Sequence, residues 1–207
     1  MTTLLPRLAL DLARPPPRRL TELFPLTPDR VHLEIGFGGG EHLLAQAERH
    51  PNTGFIGAEP FLNGMAKALV AIEAKKLTNV RLHFDDAIVL LDWLPPAELE
   101  CVELIYPDPW PKRRHWKRRF VQARSVAEIA RVLRVGGEFR FVTDVADYAA
   151  WTLALLARSR LLEWTAQCAG DWQRPWPDYC GTRYEAKAKR EGRAPCYLIF
   201  RRVADGS

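Results

Sequence analysis

The sequence predicts an α/β protein: a parallel sheet with helices on both faces. Three observations carry that prediction. Apolar strand-like runs alternate with helix-like runs from Val31 onward. A glycine turn, Gly36–Gly40, joins the first strand to the first helix. The strand-end positions Glu59, Asp86, Asp108 and Asp144 each supply a carboxylate, at the edge where open parallel sheets place their ligands.

The elements follow in order. VHLEIG (31–36) reads as a strand, and EHLLAQAERH (41–50) as a helix ending near Pro51. TGFIGAEP (53–60) is the second strand and leads into the helix FLNGMAKALVAIEAKK (61–76). NVRLHF (79–84) runs into Asp85-Asp86 and a short helix, AIVLLDWL (87–94), stopped by Pro95-Pro96. CVELIYPDPW (101–110) is the fourth strand. SVAEIARVL (125–133) is an amphipathic helix with Val126, Ile129, Ala130 and Leu133 on one face. Gly136-Gly137 is expected to break it, before the fifth strand, GEFRFVTD (137–144). A helix (147–159), a strand (161–167), a Trp/Pro loop (Asp171–Gly181), a helix (184–192) and a last strand, PCYLIFRR (195–202), complete the chain. Residues 1–30 read as an N-terminal appendage to one domain spanning 31–203.

Composition bounds the function. A chain of 207 residues suits one domain with a real core, and 47% apolar and 27% charged residues fit an ordinary soluble protein. Net charge is +5, yet the octamer Lys112–Arg119 holds six lysines and arginines, so the remainder sums to 5 − 6 = −1. Basicity that local favours a polyanionic partner at one face. Cys101, Cys168, Cys180 and Cys196 show no C-x-x-C spacing, which argues against zinc and fits reduced thiols in the cytoplasm. No apolar run approaches the ~20 residues of a membrane helix. Arg7 and Asp11 interrupt any signal-like core at the start, and the prolines and lack of serine there argue against a transit sequence.

The glycine loop narrows the chemistry. Glu59 lies 23 residues after Gly36, the spacing of an acid that grips ribose hydroxyls. The third glycine, Gly40, is one position too early for the dinucleotide fingerprint, where Glu41 stands instead. Glu34, inside the strand, would repel a pyrophosphate but suits a cationic ligand. S-adenosylmethionine, with an ammonium and a sulfonium and no phosphate, fits better than a nicotinamide cofactor. Gly36, Phe37 and Gly38 are then cofactor-loop residues, Phe37 as an apolar wall, with Asp86 toward the adenine amine. Asp86 and Asp144 could equally cap the helices that follow them. Trp116 could stack on a base or pack beneath the basic segment.

LEIGFGGG, GAEP, Asp86-Ala87, YPDPWPKRRHWKRR, VTD and TRYE together resemble the bacterial tRNA (guanine-N7-)-methyltransferases, over about Val31 to Arg202. The resemblance implies a Rossmann-like class I methyltransferase with a seven-stranded, mostly parallel sheet whose last strand is antiparallel. It implies methyl transfer from S-adenosylmethionine to N7 of a guanine in tRNA, at position 46 of the variable loop. It assigns cofactor contacts to Glu34, Glu59, Asp86 and Asp108, with Asp108 catalytic. Substrate contacts fall on Lys112, Asp144, Thr182, Arg183, Tyr184 and Glu185, and RNA contacts on Arg114, His115, Trp116, Lys117, Arg118 and Arg119. Tyr106 stands where phenylalanine is commoner, and Trp116 where histidine is. A cytoplasmic monomer or homodimer with no metal and no membrane contact is expected. A nicotinamide oxidoreductase and a non-catalytic RNA-binding scaffold are the rival readings.

Overall fold

The structure is a computed structural model describing residues 4–206. Seven strands form one sheet: β1 (Arg30–Ile35), β2 (Thr53–Ala58), β3 (Val80–His83), β4 (Leu99–Ile105), β5 (Leu133–Thr143), β6 (Leu162–Trp164) and β7 (Cys196–Arg202). Their order is β3-β2-β1-β4-β5-β7-β6. β7 runs antiparallel to both β5 and β6, and the other pairings are parallel, as expected from the resemblance. The order reverses between β1 and β4, which opens a crevice at their carboxyl ends.

The helices are α1 (Leu5–Leu8), α2 (Glu41–Arg49), α3 (Leu62–Lys75), α4 (Ala87–Trp93), α5 (Ala123–Val132), α6 (Ala146–Leu156), α7 (Gly170–Gln173) and α8 (Arg183–Arg190). Two apolar layers sandwich the sheet. Val31, Leu33 and Ile35 pack with Leu90, Ile129 and Tyr148 on one face; Phe55, Val80 and Leu82 pack with Leu43, Met65 and Leu69 on the other. Burying each such side chain contributes roughly 1.5–3 kcal/mol. Strand alternation sends the intervening residues of β1, His32 and Glu34, to the opposite face from Leu33 and Ile35.

Three local differences from the sequence reading have physical causes. Helix α5 stops at Val132 and the strand begins at Leu133, ahead of the glycines. Gly136, with φ +83°, instead sits within β5, where pairing shifts from Leu99–Leu133 to Cys101–Glu138. That is an insertion of extra residues on one strand, which a positive φ accommodates. β6 is only three residues long, because it pairs β7 at the sheet edge over Leu162–Trp164 alone.

The segment before β1 covers the sheet. Leu10 N–H donates to Leu82 O at 2.9 Å, shielding the β3 edge, while Leu8, Leu20 and Phe24 are buried in the two layers. Residues 1–3 of the expected appendage, and Ser207, lie outside the described residues. Among the described residues no helix is long and apolar enough to cross a membrane.

Candidate active site

A crevice of about 570 Å³ opens at the carboxyl ends of β1 to β4. Its floor is the glycine loop. Gly36 and Gly38 have φ of +69° and +56°, conformations that L side chains rarely adopt. A Cβ on Gly36 would meet nothing within 4 Å, so bare backbone faces the crevice there. Helix α3 approaches so closely that a Cβ on Gly64 would sit 2.3 Å from Gly38 O.

Glu59 ties this floor together. Its Oε2 accepts from Gly38 N–H at 2.7 Å and its Oε1 from Phe61 N–H at 2.9 Å. It lines the crevice with lone pairs to spare, since each carboxylate oxygen accepts more than one donor. Asp86 combines both roles the sequence left open: it caps α4 by accepting from Ile88 N–H at 2.9 Å and lines the crevice. Asp108 stands exposed at the opposite wall. It follows a turn in which Tyr106 has φ +51° and Trp110 has φ +43°. Two non-glycine residues held in that region within five positions mark a strained segment, of the kind that clusters at active sites.

Two expected cofactor residues are not in the crevice wall. Phe37 is buried beneath the loop, where a Cβ on Gly57 would sit 2.7 Å from its ring. The positive φ of the flanking glycines turns it into the core, so it is not the apolar wall. Phe61, 68% exposed beside Glu59, is the phenylalanine that lines the crevice. Its signal in the sequence was its position directly after the strand-end GAEP. Glu34 likewise lies behind the crevice, because its register on β1 points it under α2.

There Glu34 joins a buried polar cluster. His42 Nε2 donates to Glu103 Oε2 at 3.2 Å, and Arg140 Nη1 to Glu103 Oε1 at 3.4 Å. His42 Nδ1 lies 3.0 Å from Cys180 O. Burial alone would lower the His42 pKa, but the Glu103 hydrogen bond and charge outweigh it and raise it. The same partners hold the Glu103 carboxyl low against its own burial. Burial pushes Glu34 up to about 8, and its Oε2 has no hydrogen-bond partner among the described residues. Ligand atoms of Glu34, His42 and Glu103 lie within 4.8 Å of one another.

The basic run forms a 3-10 turn, Arg113–Arg118, beside Asp108. Lys112, Arg113, Arg114, Lys117 and Arg118 are exposed. Arg118 lines the crevice with its guanidinium 4.8 Å from the Trp110 ring centre. Arg119 differs from the expected RNA contact. It is 1% exposed, donates to Pro109 O at 2.9 Å and to Asp147, and lies over Trp116, Tyr148 and Trp151. Trp116 is half-buried against Trp151, 5.4 Å between ring centres, so it packs under the basic segment. His115 is half-buried at the Trp110 edge.

Of the expected substrate residues, Arg183 and Tyr184 line the crevice. Thr182 instead caps α8, accepting from Glu185 N–H at 3.2 Å. Glu185 is buried and accepts from Tyr197 Oη at 2.8 Å and from Lys189. Asp144 accepts from Arg193 Nε at 2.6 Å, and Lys112 is exposed outside the crevice wall.

Comparison with known proteins gives the family and the fold. A family profile described as "Putative methyltransferase" matches residues 28–198. A protein of Rhodopseudomonas palustris (strain BisB18), "tRNA (guanine-N(7)-)-methyltransferase", is 62% identical over 201 residues, covering 97% of this chain and 80% of its own. One of the same description from Nitrobacter hamburgensis is 59% identical, over 99% of this chain and 80% of its own. Among solved structures, an antibiotic-related methyltransferase is similar with a TM-score of 0.60 at 18% identity, over 94% of this chain and 95% of that one. A 16S rRNA (adenine(1408)-N(1))-methyltransferase from Catenulisporales acidiphilia is similar with a TM-score of 0.55 at 15% identity, over 86% of each chain. At those identities the structural likeness shows the fold.

Proposed function

This chain belongs to the tRNA (guanine-N(7)-)-methyltransferase family, and we propose that its crevice carries out methyl transfer to the guanine at position 46 of the tRNA variable loop. The methyl donor is S-adenosylmethionine. The observation that carries the reading is the placing of Glu59, Asp86 and Asp108 around the bare Gly36 backbone, with the basic turn at the rim.

The residues present fit that donor. Open space at Gly36 lets a ligand lie against the backbone, and the nearby carboxylates suit a ligand with two cationic centres. Glu59 would hold ribose hydroxyls with its remaining lone pairs, Asp86 the adenine amine, and Phe61 the apolar face. When bound, the donor supplies an electrophilic methyl carbon. Glu34 acts from below the loop, through the buried cluster that fixes α2.

Guanine N7 carries a free lone pair at neutral pH, so no proton must leave before attack. The protein's task is alignment, which can supply roughly 7–11 kcal/mol in well-oriented reactions. Asp108 accepts from the guanine N1–H and amino group and holds the base in register. Its charge also favours the positive charge that develops on the methylated ring. Lys112, Arg113, Arg114, Lys117 and Arg118 grip phosphates beside it. The enzyme works in the cytoplasm as a monomer or homodimer, and His42 and Glu103 act as a buried ion pair. Asp108→Asn tests the central role: turnover should vanish while calorimetric binding of S-adenosylhomocysteine persists. Full turnover in that variant would refute it.

A further inference from the structure

Two tyrosines face each other across the crevice. Tyr106 lies at the end of β4, two residues before Asp108, and Tyr184 lies in the first turn of α8. Their ring centres are 6.4 Å apart and their planes are 26° from parallel. Both line the crevice. Tyr184 is 45% exposed, and its ring also reaches the glycine loop, where a Cβ on Gly38 would lie 3.8 Å from it. The pair therefore spans the space between the cofactor floor and the Asp108 wall.

Stacked aromatic planes repeat at about 3.4 Å, the rise per base along a nucleic-acid strand. A slot holding one base between two rings needs about twice that, roughly 6.8 Å. The tyrosine centres lie 6.4 Å apart, at the wide end of the ~4.5–7 Å range for aromatic pairs, so the gap between the ring planes is at most that and the rings must part slightly to admit a base. The two rings are also mounted differently. Tyr106 is half-buried, set by its φ of +51° and packed with Ile105, Val142 and Tyr197. Tyr184 is backed by Arg183, whose guanidinium lies 4.9 Å from the ring centre and whose Nη2 donates to Tyr184 Oη at 3.1 Å. One ring is half-buried in the sheet edge, and the other is exposed on the first turn of α8.

We propose that Tyr106 and Tyr184 form an aromatic slot that receives the extruded target guanine and stacks it on both faces. The inference rests on the guanine-methylating reading above. Stacking fixes the plane of the base, and Asp108 then fixes its rotation within that plane. Neither interaction alone defines where N7 points; together they do. Arg183 stiffens the exposed ring from behind. Because stacking is indifferent to base identity, the slot supplies position while Asp108 supplies selection for guanine.

The test uses the full chain, unmodified tRNA and S-adenosylmethionine. Tyr184→Ala removes an exposed ring and is expected to fold normally. It should lower kcat/KM by roughly 10- to 100-fold, the usual effect of deleting one stacking partner. Its S-adenosylhomocysteine affinity should stay within threefold of the parent, since the slot holds the base. Tyr184→Phe should recover most of the loss, which a hydrogen-bonding role for the hydroxyl would not allow. Tyr184→Ala activity within twofold of the parent, or a Tyr184→Phe variant no better than Tyr184→Ala, overturns the slot. An inactive parent enzyme would instead overturn the guanine reading itself.

Discussion

Arg119 Nη2 donates to Asp147 Oδ2 at 2.5 Å, and this bond ties the end of the basic run to the first turn of α6. The guanidinium also lies within 5.5 Å of three aromatic ring centres. Six consecutive-looking cations in the sequence thus divide into a solvent-facing group and one buried anchor.

Arg119→Ala should therefore destabilise the fold. Losing a charged hydrogen bond and desolvated cation–aromatic contacts costs roughly 2–4 kcal/mol, read as a lower urea midpoint. Asp147 is half-exposed, so little of that cost comes from stranding its charge. A change below about 0.5 kcal/mol would mean that Arg119 is not an anchor.

With Arg119 buried, the proposed phosphate grip consists of Lys112, Arg113, Arg114, Lys117 and Arg118. Five contacts give a slope of log affinity against log salt near −3.5 to −4.5, by the usual 0.7–0.9 per phosphate. Arg114→Ala should make that slope shallower by close to one unit without moving the unfolding midpoint. A slope unaffected by Arg114→Ala would place the phosphates elsewhere.

His42 makes stability depend on pH. Its ordinary value is 6.5, and in the fold it is raised to about 9. The folded chain therefore holds the extra proton between those values, and the pair's contribution, complete below 6.5, is lost as pH rises toward 9. Glu34, raised from 4.5 to about 8, weakens the fold in the same direction across its own window. Urea midpoints should fall between pH 6.5 and 9, and His42→Gln should flatten that fall. Equal midpoints in the parent across the range would contradict the buried ion pair.

Phe61→Ala should weaken S-adenosylhomocysteine binding several-fold with almost no change in stability, since the ring is 68% exposed. Calorimetry checks it. Unchanged affinity would remove Phe61 from the cofactor wall.

Much of this site was legible in the sequence because strand ends are. Alternation of strand and helix fixes which edge of the sheet each strand ends on, so the sequence alone brings Glu59, Asp86 and Asp108 to one edge, where all three line the crevice. Side-chain direction within a turn was not legible. Phe37 and Phe61 are both loop aromatics next to a strand end, and only the left-handed glycines decide that the first turns inward. Burial of a charge was equally hidden: nothing in the string KRRHWKRR separates Arg119 from Arg118, yet Trp151 and Tyr148, some thirty positions on, enclose one and not the other. The Tyr106–Tyr184 pairing joins residues 78 positions apart, beyond the reach of local pattern.

The most direct measurement maps the modified nucleotide after the enzyme and labelled S-adenosylmethionine have acted on bulk unmodified tRNA. 7-Methylguanosine is expected at the variable-loop guanine, revealed by borohydride and aniline cleavage at that one position. Label on another base, on another atom of guanine, or none at all would contradict it.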